Sequence, residues 1–169
     1  MNTIPWFERT FDFSLPPEMF PQLQSRLRGA PARLEETLRG APPELLVNRS
    51  DGRWSPQEHA GHLLDLEALW IARLEDYIEG RAVLTPADLT NRRTHEANHN
   101  ARPLEDILAA FRVLRDNTLR YVRDRDTAML SRTLLHPRIK TPMRLLDHLH
   151  FIAEHDDQHL SRIEELLAA

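Results

Sequence analysis

Apolar side chains recur at spacings of three and four residues in four long stretches of the chain. This pattern is typical of helices that bury one face against a common core. No stretch alternates apolar and polar residues for long enough to predict a strand. The sequence therefore predicts an all-α protein, a four-helix bundle that forms a single domain over residues 1–169. The four predicted helices span residues 19–39, 56–79, 103–122 and 142–167.

Residues that start, stop or interrupt helices set these limits. Ser55, Pro56 and Glu58 form a capping box with proline in the first turn, and Gly80 can end that helix. Pro31 lies inside the first predicted helix, which we expect to be kinked or divided into two short helices. Thr141 and Pro142 are predicted to open the fourth helix, as a cap followed by proline.

The remaining segments are predicted as connections. Residues 1–15 carry scattered aromatic side chains and predict a short irregular N-terminal arm that packs on the bundle. Residues 40–53 predict a loop with one helical turn, and residues 81–102 a polar connection that is broken by proline. Connections this long often shape a site.

Composition excludes several classes of function. The chain has no cysteine, which excludes disulfides, thiolate metal sites and a cysteine nucleophile. Acidic residues outnumber basic ones by 26 to 22, so we expect neither nucleic acid nor an anionic membrane as a partner. No apolar run is long enough to span a bilayer, and the N-terminus does not resemble a secretory signal, so we expect a cytoplasmic protein. With nine histidines, imidazole is the expected ligand of any transition metal.

Two histidines stand four residues apart in the fourth predicted helix, in the string His155-Asp156-Asp157-Gln158-His159. Residues at this spacing lie one turn apart on the same face, so both imidazoles can reach one metal ion. His159 lies between Ile152 and Ile163 on the apolar stripe of the helix. The pair therefore predicts either two metal ligands inside the bundle or two core histidines that form hydrogen bonds.

The second predicted helix contributes two further histidines, His59 and His62. His59 lies nearer than His62 to the middle of the apolar face, so the helical periodicity favours His59 as the inward residue. A site at the end of a bundle can also use an edge position, which leaves His62 open. The apolar face of this helix is centred on Leu63, Leu66, Trp70 and Leu74.

Other histidines suggest weaker alternatives. The string His95-Glu96-Ala97-Asn98-His99 matches the zinc-protease pattern, in which glutamate acts as the general base. That pattern needs a buried amphipathic helix, and here only alanines provide apolar neighbours, so a metalloprotease is a minor alternative. His148 precedes His155 by one heptad, and we expect it to pack in the core or form a hydrogen bond. The tryptophans are also expected to be core residues.

The arrangement of these motifs resembles a known family. The pattern Trp54-Ser55-Pro56-x-Glu58-x-x-x-His62-Leu63-x-Asp65, followed by His155-x-x-x-His159, is similar to the DinB/YfiT-like superfamily, and most of all to its YfiT-type metal-dependent hydrolases. The resemblance implies a four-helix bundle with one divalent metal held by three histidines. Carried over by position, the ligands are His62, His155 and His159. The resemblance thus favours His62 where the periodicity favours His59, and it places no ligand in the zinc-protease pattern.

A three-histidine site of this kind leaves a divalent ion open to water. Such an ion lowers the pKa of water and polarises carbonyl or phosphoryl oxygens, so the resemblance implies a metal-dependent hydrolase. The superfamily's thiol-dependent transferases and isomerases imply an alternative, in which the metal activates the thiolate of a low-molecular-weight cofactor. The sequence supplies five candidates for a general base or for a group that orients a ligand: Glu58, Asp65, Glu154, Asp156 and Asp157.

The resemblance also leaves alternatives of other kinds open. The bundle can bind metal without catalysis, as a storage, sensing or structural module. Three neutral imidazoles suit several divalent ions, among which we expect zinc or nickel. A small-molecule substrate or thiol is the expected partner, and a homodimer is a further candidate because members of the family are often dimers.

Overall fold

Four long helices form the body of the protein in a computed structural model, which describes residues 4–49 and 52–168. The described residues contain the helices α1 (Phe20–Arg39), α2 (Pro43–Leu46), α3 (Pro56–Glu79), α4 (Arg92–Glu96), α5 (Leu104–Val122), α6 (Thr127–Leu130) and α7 (Leu145–Leu167). Both α1 and α3 pack against α5 and α7. The prediction of an all-α four-helix bundle is confirmed. None of the helices in the described ranges has both the length and the hydropathy needed to cross a bilayer.

The predicted start and end of α3 are also confirmed. The Ser55 hydroxyl accepts a hydrogen bond from the Glu58 amide, and the Glu58 carboxylate accepts one from the Ser55 amide at 3.0 Å. Pro56 occupies the first helical position, where its missing N–H costs nothing. Gly80 ends the helix with a left-handed φ of 71°. The capping box thus fixes the first residue of α3. It also fixes the position of His62 in that helix, eight residues after Trp54.

The start of α7 differs from the prediction. Pro142–Arg144 forms a strand, β2, which pairs antiparallel with β1 (Thr133–Leu135), and α7 begins only at Leu145. The Asp147 carboxylate accepts a hydrogen bond from the backbone N–H of Arg144. This bond caps the helix, where the sequence predicted a cap by Thr141. Each strand has only three residues and buries only its central side chain, which is too short a pattern to reveal a strand in the sequence.

The connections and the N-terminal arm follow the predictions in outline. The loop after α1 contains the expected helical turn, α2, although Ser50 and Asp51 lie outside the described residues. The polar connection between α3 and α5 contains α4 and a 3₁₀ turn at His99–Ala101. The arm is irregular apart from 3₁₀ turns at Trp6–Glu8 and Pro17–Met19, and Trp6 packs edge-on against Phe151 of α7 at 4.9 Å between ring centroids.

Pro31 does not divide the first helix, because its missing hydrogen bond is replaced. A proline at position 31 cannot donate to the carbonyl of Leu27, one turn earlier in α1. The guanidinium of Arg115, from α5, donates to that carbonyl at 3.2 Å. Pro31 is itself buried within the continuous helix Phe20–Arg39.

The same arginine connects the other helices of the bundle. Arg115 is only 1% exposed, and it donates to Glu67 of α3 at 2.6 Å and to Asp156 of α7 at 2.5 Å. Thr118 donates a further hydrogen bond to Glu67. Burial alone would lower the pKa of Arg115, but the two carboxylates hold that pKa above its usual value. One buried guanidinium therefore contacts α1, α3 and α7 from its position on α5.

We expect the Arg115→Met substitution to lower the free energy of unfolding by about 3–5 kcal/mol, because it leaves two carboxylates buried without their counter-ion. Urea denaturation followed by circular dichroism measures the change. The matched control is Arg112→Met, on the exposed side of α5, where loss of the ion pair with Glu35 should cost at most about 1 kcal/mol. Equal effects of the two substitutions would contradict this role of Arg115.

Candidate metal centre

Three histidines from two helices converge at one end of the bundle. His62 lies on α3, and His155 and His159 lie one turn apart on α7. One ring nitrogen of each residue lies within 4.8 Å of the corresponding nitrogens of the other two. All three side chains are buried, with exposed fractions of 5%, 5% and 9%. The structure thus brings together the three residues that the resemblance pointed to.

A chain of hydrogen bonds orients His62. Its Nδ1 lies 3.1 Å from the hydroxyl of Thr94, and that hydroxyl donates to the carboxylate of Asp65 at 3.0 Å. A threonine hydroxyl has only one proton, so its oxygen accepts the proton of His62 Nδ1. His62 Nε2 is therefore left unprotonated, with a lone pair available to a metal ion. His99, on the far side of Asp65, bonds the same carboxylate oxygen at 2.8 Å.

His59 contacts His159 but is not one of the three converging histidines. Its Nδ1 lies 2.8 Å from Nδ1 of His159, while His159 Nε2 faces His155 Nε2 at 3.2 Å. His59 is only partly buried and does not belong to the group of three. Helical periodicity favoured His59 as the inward residue, whereas the structure buries His62 more deeply than His59. Near the start of α3 the site lies beside the apolar stripe, where α4 and its Thr94 cover His62.

Burial keeps these imidazoles neutral. Desolvation lowers the pKa of His62 to about 3 and that of His59 to about 4. The pKa values of His155 and His159 also lie well below the usual histidine value, mainly through burial and further through the other histidines. Neutral imidazole is the form that binds metals, so the group is in its ligating form at neutral pH. His155 Nδ1 is buried without a hydrogen-bond partner among the described residues.

A cavity of about 340 Å³ opens onto the three histidines. The tryptophans were expected to be core residues, and Trp70 is indeed buried in the core, but all three also line this cavity. Trp54 lies 4.7 Å from the ring of His62, Trp6 packs edge-on against His155 at 4.9 Å, and Trp70 contacts His155 at 5.7 Å. Of the three, only Trp54 could have been assigned to the site from the sequence, because it directly precedes the capping box of α3. Trp6 comes from the arm, whose irregular sequence gave no such signal.

The zinc-protease pattern does not assemble. His95 and Glu96 are exposed in α4, and Asn98 breaks the helix with a left-handed φ of 47°. His99 is consequently buried against α3, where its ring leaves no room for a side chain at Gly61. A Cβ atom at Gly61 would lie 2.2 Å from that ring. His95 and His99 therefore do not share a helix face and cannot bind one metal ion together as the protease pattern requires, so the protease alternative is wrong.

The five carboxylates considered as general bases all have other partners. Glu58 caps α3 and pairs with Arg49, and Asp156 pairs with Arg115. Glu154 and Asp157 both bind Arg26 on the side of α7 that faces α1. Asp65 alone acts on the site, through Thr94 and His62. His148 also lies outside the group, buried against Trp70 and Tyr77.

Comparisons with known proteins agree with this fold. A solved structure of YfiT from Bacillus subtilis, described as a probable metal-dependent hydrolase with an unusual four-helix bundle topology, superimposes with a TM-score of 0.81 at 20% identity. The match covers 94% of this chain and 91% of that one. A search of curated proteins finds no match. The family model of the DinB superfamily matches residues 26–163, and the chain therefore belongs to the DinB superfamily.

Proposed function

We propose that the protein is a metal-dependent hydrolase whose single divalent ion is held by His62, His155 and His159. The observation that carries the proposal is the cluster itself, three buried neutral imidazoles with converging nitrogens at the floor of a cavity. Three protein ligands with an open fourth position are typical of catalytic zinc sites, whereas structural sites have four. Zinc and nickel are the ions we expect, since both accept imidazole nitrogen.

The surrounding residues fit such an ion. Thr94 fixes the protonation state of His62, and the Nδ1 contact between His159 and His59 leaves Nε2 of His159 directed towards the group. When bound, the ion would polarise a carbonyl or phosphoryl oxygen and acidify water. The chain itself orients the ligands and surrounds the reacting group with Trp6, Trp54 and Trp70. These aromatic walls reduce the access of bulk water and strengthen electrostatic interactions inside the cavity.

One observation favours a second candidate, a thiol-dependent transferase. Among the described residues that line the cavity, the only carboxylate is Asp88, which is exposed and already accepts hydrogen bonds from Thr90 and Arg92. Within residues 4–49 and 52–168, no free carboxylate base therefore stands beside the three histidines. A thiol, with a pKa near 8.5, needs less help from a base than water does. A low-molecular-weight thiol is thus the alternative nucleophile.

We expect purified protein to contain one divalent ion per chain, measured by inductively coupled plasma mass spectrometry. His62→Ala and His159→Ala should each abolish this content, because two imidazoles rarely retain a divalent ion through dialysis. The matched control is His59→Ala, which should still fill at saturating metal, with an affinity lower by about 10–100-fold. Full occupancy of His62→Ala, or none in His59→Ala, would contradict the assigned ligands.

Thr94→Val should weaken metal binding by about 10–100-fold, because the isosteric methyl group cannot accept the proton of His62 Nδ1. Thr94→Ser keeps the hydroxyl and should bind nearly as tightly as the wild type. Competition with a chromophoric chelator measures both affinities. If the valine and serine variants bind equally well, the chain through Asp65 and Thr94 does not orient His62.

A substrate panel tests the reaction. Metal-loaded protein should hydrolyse at least one member of a panel of esters, amides and phosphoesters, and His159→Ala should be inactive on the same compound. The panel is repeated with electrophiles and low-molecular-weight thiols. Turnover that requires a thiol would overturn the hydrolase in favour of the transferase, and metal binding without any turnover would favour a non-catalytic metal-binding module.

A further inference from the structure

The end of the cavity away from the three histidines contains two arginines without counter-ions. Arg73, on α3, is 2% exposed, and Arg138 lies in the turn between β1 and β2. Neither forms an ion pair with a carboxylate among the described residues. By contrast, Arg115, the other buried arginine among the described residues, and the half-buried Arg26 each contact two carboxylates. A buried cation is costly unless an anion compensates it.

The contacts of these two arginines leave hydrogen-bond donors unused. Arg73 donates through Nε to the carbonyl of Thr85 at 2.8 Å, and its guanidinium lies over the ring of Trp70. Arg138 stacks its guanidinium over Phe7, at 5.1 Å from the ring centroid, and its Nη2 is buried without a hydrogen-bond partner. The aromatic faces attract the cations but accept no strong hydrogen bond. Both side chains are therefore held in place with capacity to bind a further group.

His136 adds a third donor at the same position. Its Nδ1 accepts the backbone N–H groups of Arg138 and Ile139, at 3.2 and 3.3 Å, so the ring proton resides on Nε2. That Nε2 lies 3.3 Å from Nη1 of Arg73, and both atoms are donors. A negatively charged oxygen that lies beside the two atoms, within hydrogen-bond distance of each, would accept from both. Burial, and after it the positive charges of Arg73 and Arg138, lower the pKa of His136 to about 4, so the ring is neutral at neutral pH.

From this arrangement we propose that the cavity binds an organic substrate through an oxyanion, a carboxylate or a phosphate, held by Arg73, Arg138 and the Nε2–H of His136. The apolar part of the ligand would lie against Trp70 and Phe151, which line the cavity between this end and the histidines. The reacting group would then face His62, His155 and His159. The inference rests on the proposed function for the reaction, but the binding of the oxyanion does not require the metal.

The test compares three probes of similar shape: 3-phenylpropionate, 2-phenylethyl phosphate and the neutral 3-phenylpropionamide. Binding is measured by titration calorimetry on the full chain after dialysis against a chelator, so that no anion can bind through a metal. We expect at least one anionic probe to bind about 10-fold or more tightly than the amide. The anionic probe that binds more tightly shows whether the arginines prefer a carboxylate or a phosphate.

Arg138→Gln should reduce the preference for that anion to about 3-fold or less. The matched control is Lys140→Gln, which removes the same charge from an exposed position in the same turn and should keep the preference. Arg73→Gln should act like Arg138→Gln, and if this buried variant does not fold, Arg138→Gln decides alone. Equal binding of acid, phosphate and amide, no binding of any probe, or an unchanged preference in Arg138→Gln would overturn the proposal.

The two proposals fail separately. A metal site that does not form leaves the anion preference of chelator-treated protein unchanged. A cavity without anion preference leaves the metal content of the wild type unchanged. Activity of Arg138→Gln on a neutral substrate, with loss of activity on its anionic analogue, would support both proposals together.

Discussion

One buried guanidinium holds the bundle in the arrangement on which the site depends. Arg115 contacts a backbone carbonyl of α1, Glu67 of α3 and Asp156 of α7. Asp156 directly follows His155 in the sequence, so its ion pair restricts the rotation of α7 about its axis. That rotation decides whether His155 and His159 face His62 or the core. The charge network of the bundle centre and the direction of the imidazoles are therefore set by the same contacts.

The cost of burying charge distinguishes the structural groups from the functional ones. Arg115 is compensated by two carboxylates and has no capacity left for a ligand. The three histidines are buried without a charged partner, which keeps them neutral and able to bind a cation. Arg73 is buried and Arg138 is half-buried, and within residues 4–49 and 52–168 neither forms an ion pair with a carboxylate, which is why we propose an oxyanion as their partner. The two proposals would thus place groups of opposite charge at the two ends of one cavity.

Sequence reasoning predicted the elements that depend on local signals. The four helices followed from periodicity, and the first residue of α3 followed from Ser55, Pro56 and Glu58. The β-hairpin was missed because each of its strands buries only one side chain, Leu134 or Met143. The sequence left open whether α1 is one kinked helix or two short ones, because the group that replaces the hydrogen bond lost at Pro31 comes from α5, far away in the sequence.

The site was predictable only in part for the same reason. His155 and His159 lie on one face of one helix, so their spacing of four residues was enough to predict a pair of metal ligands. The choice between His59 and His62 depended on α4, whose Thr94 covers His62, and helical periodicity contains no information about a covering element. The Trp6 contact with His155 and the convergence of Arg73 with Arg138 arise between segments that no local pattern connects.

Whether three imidazoles hold one metal ion can be observed in a crystal structure of the zinc-loaded protein, with diffraction data collected on both sides of the zinc absorption edge. We expect one anomalous peak about 2.0–2.1 Å from a nitrogen of each of His62, His155 and His159. Imidazole rings that diverge around no peak, or a peak bound by other residues, would contradict this expectation.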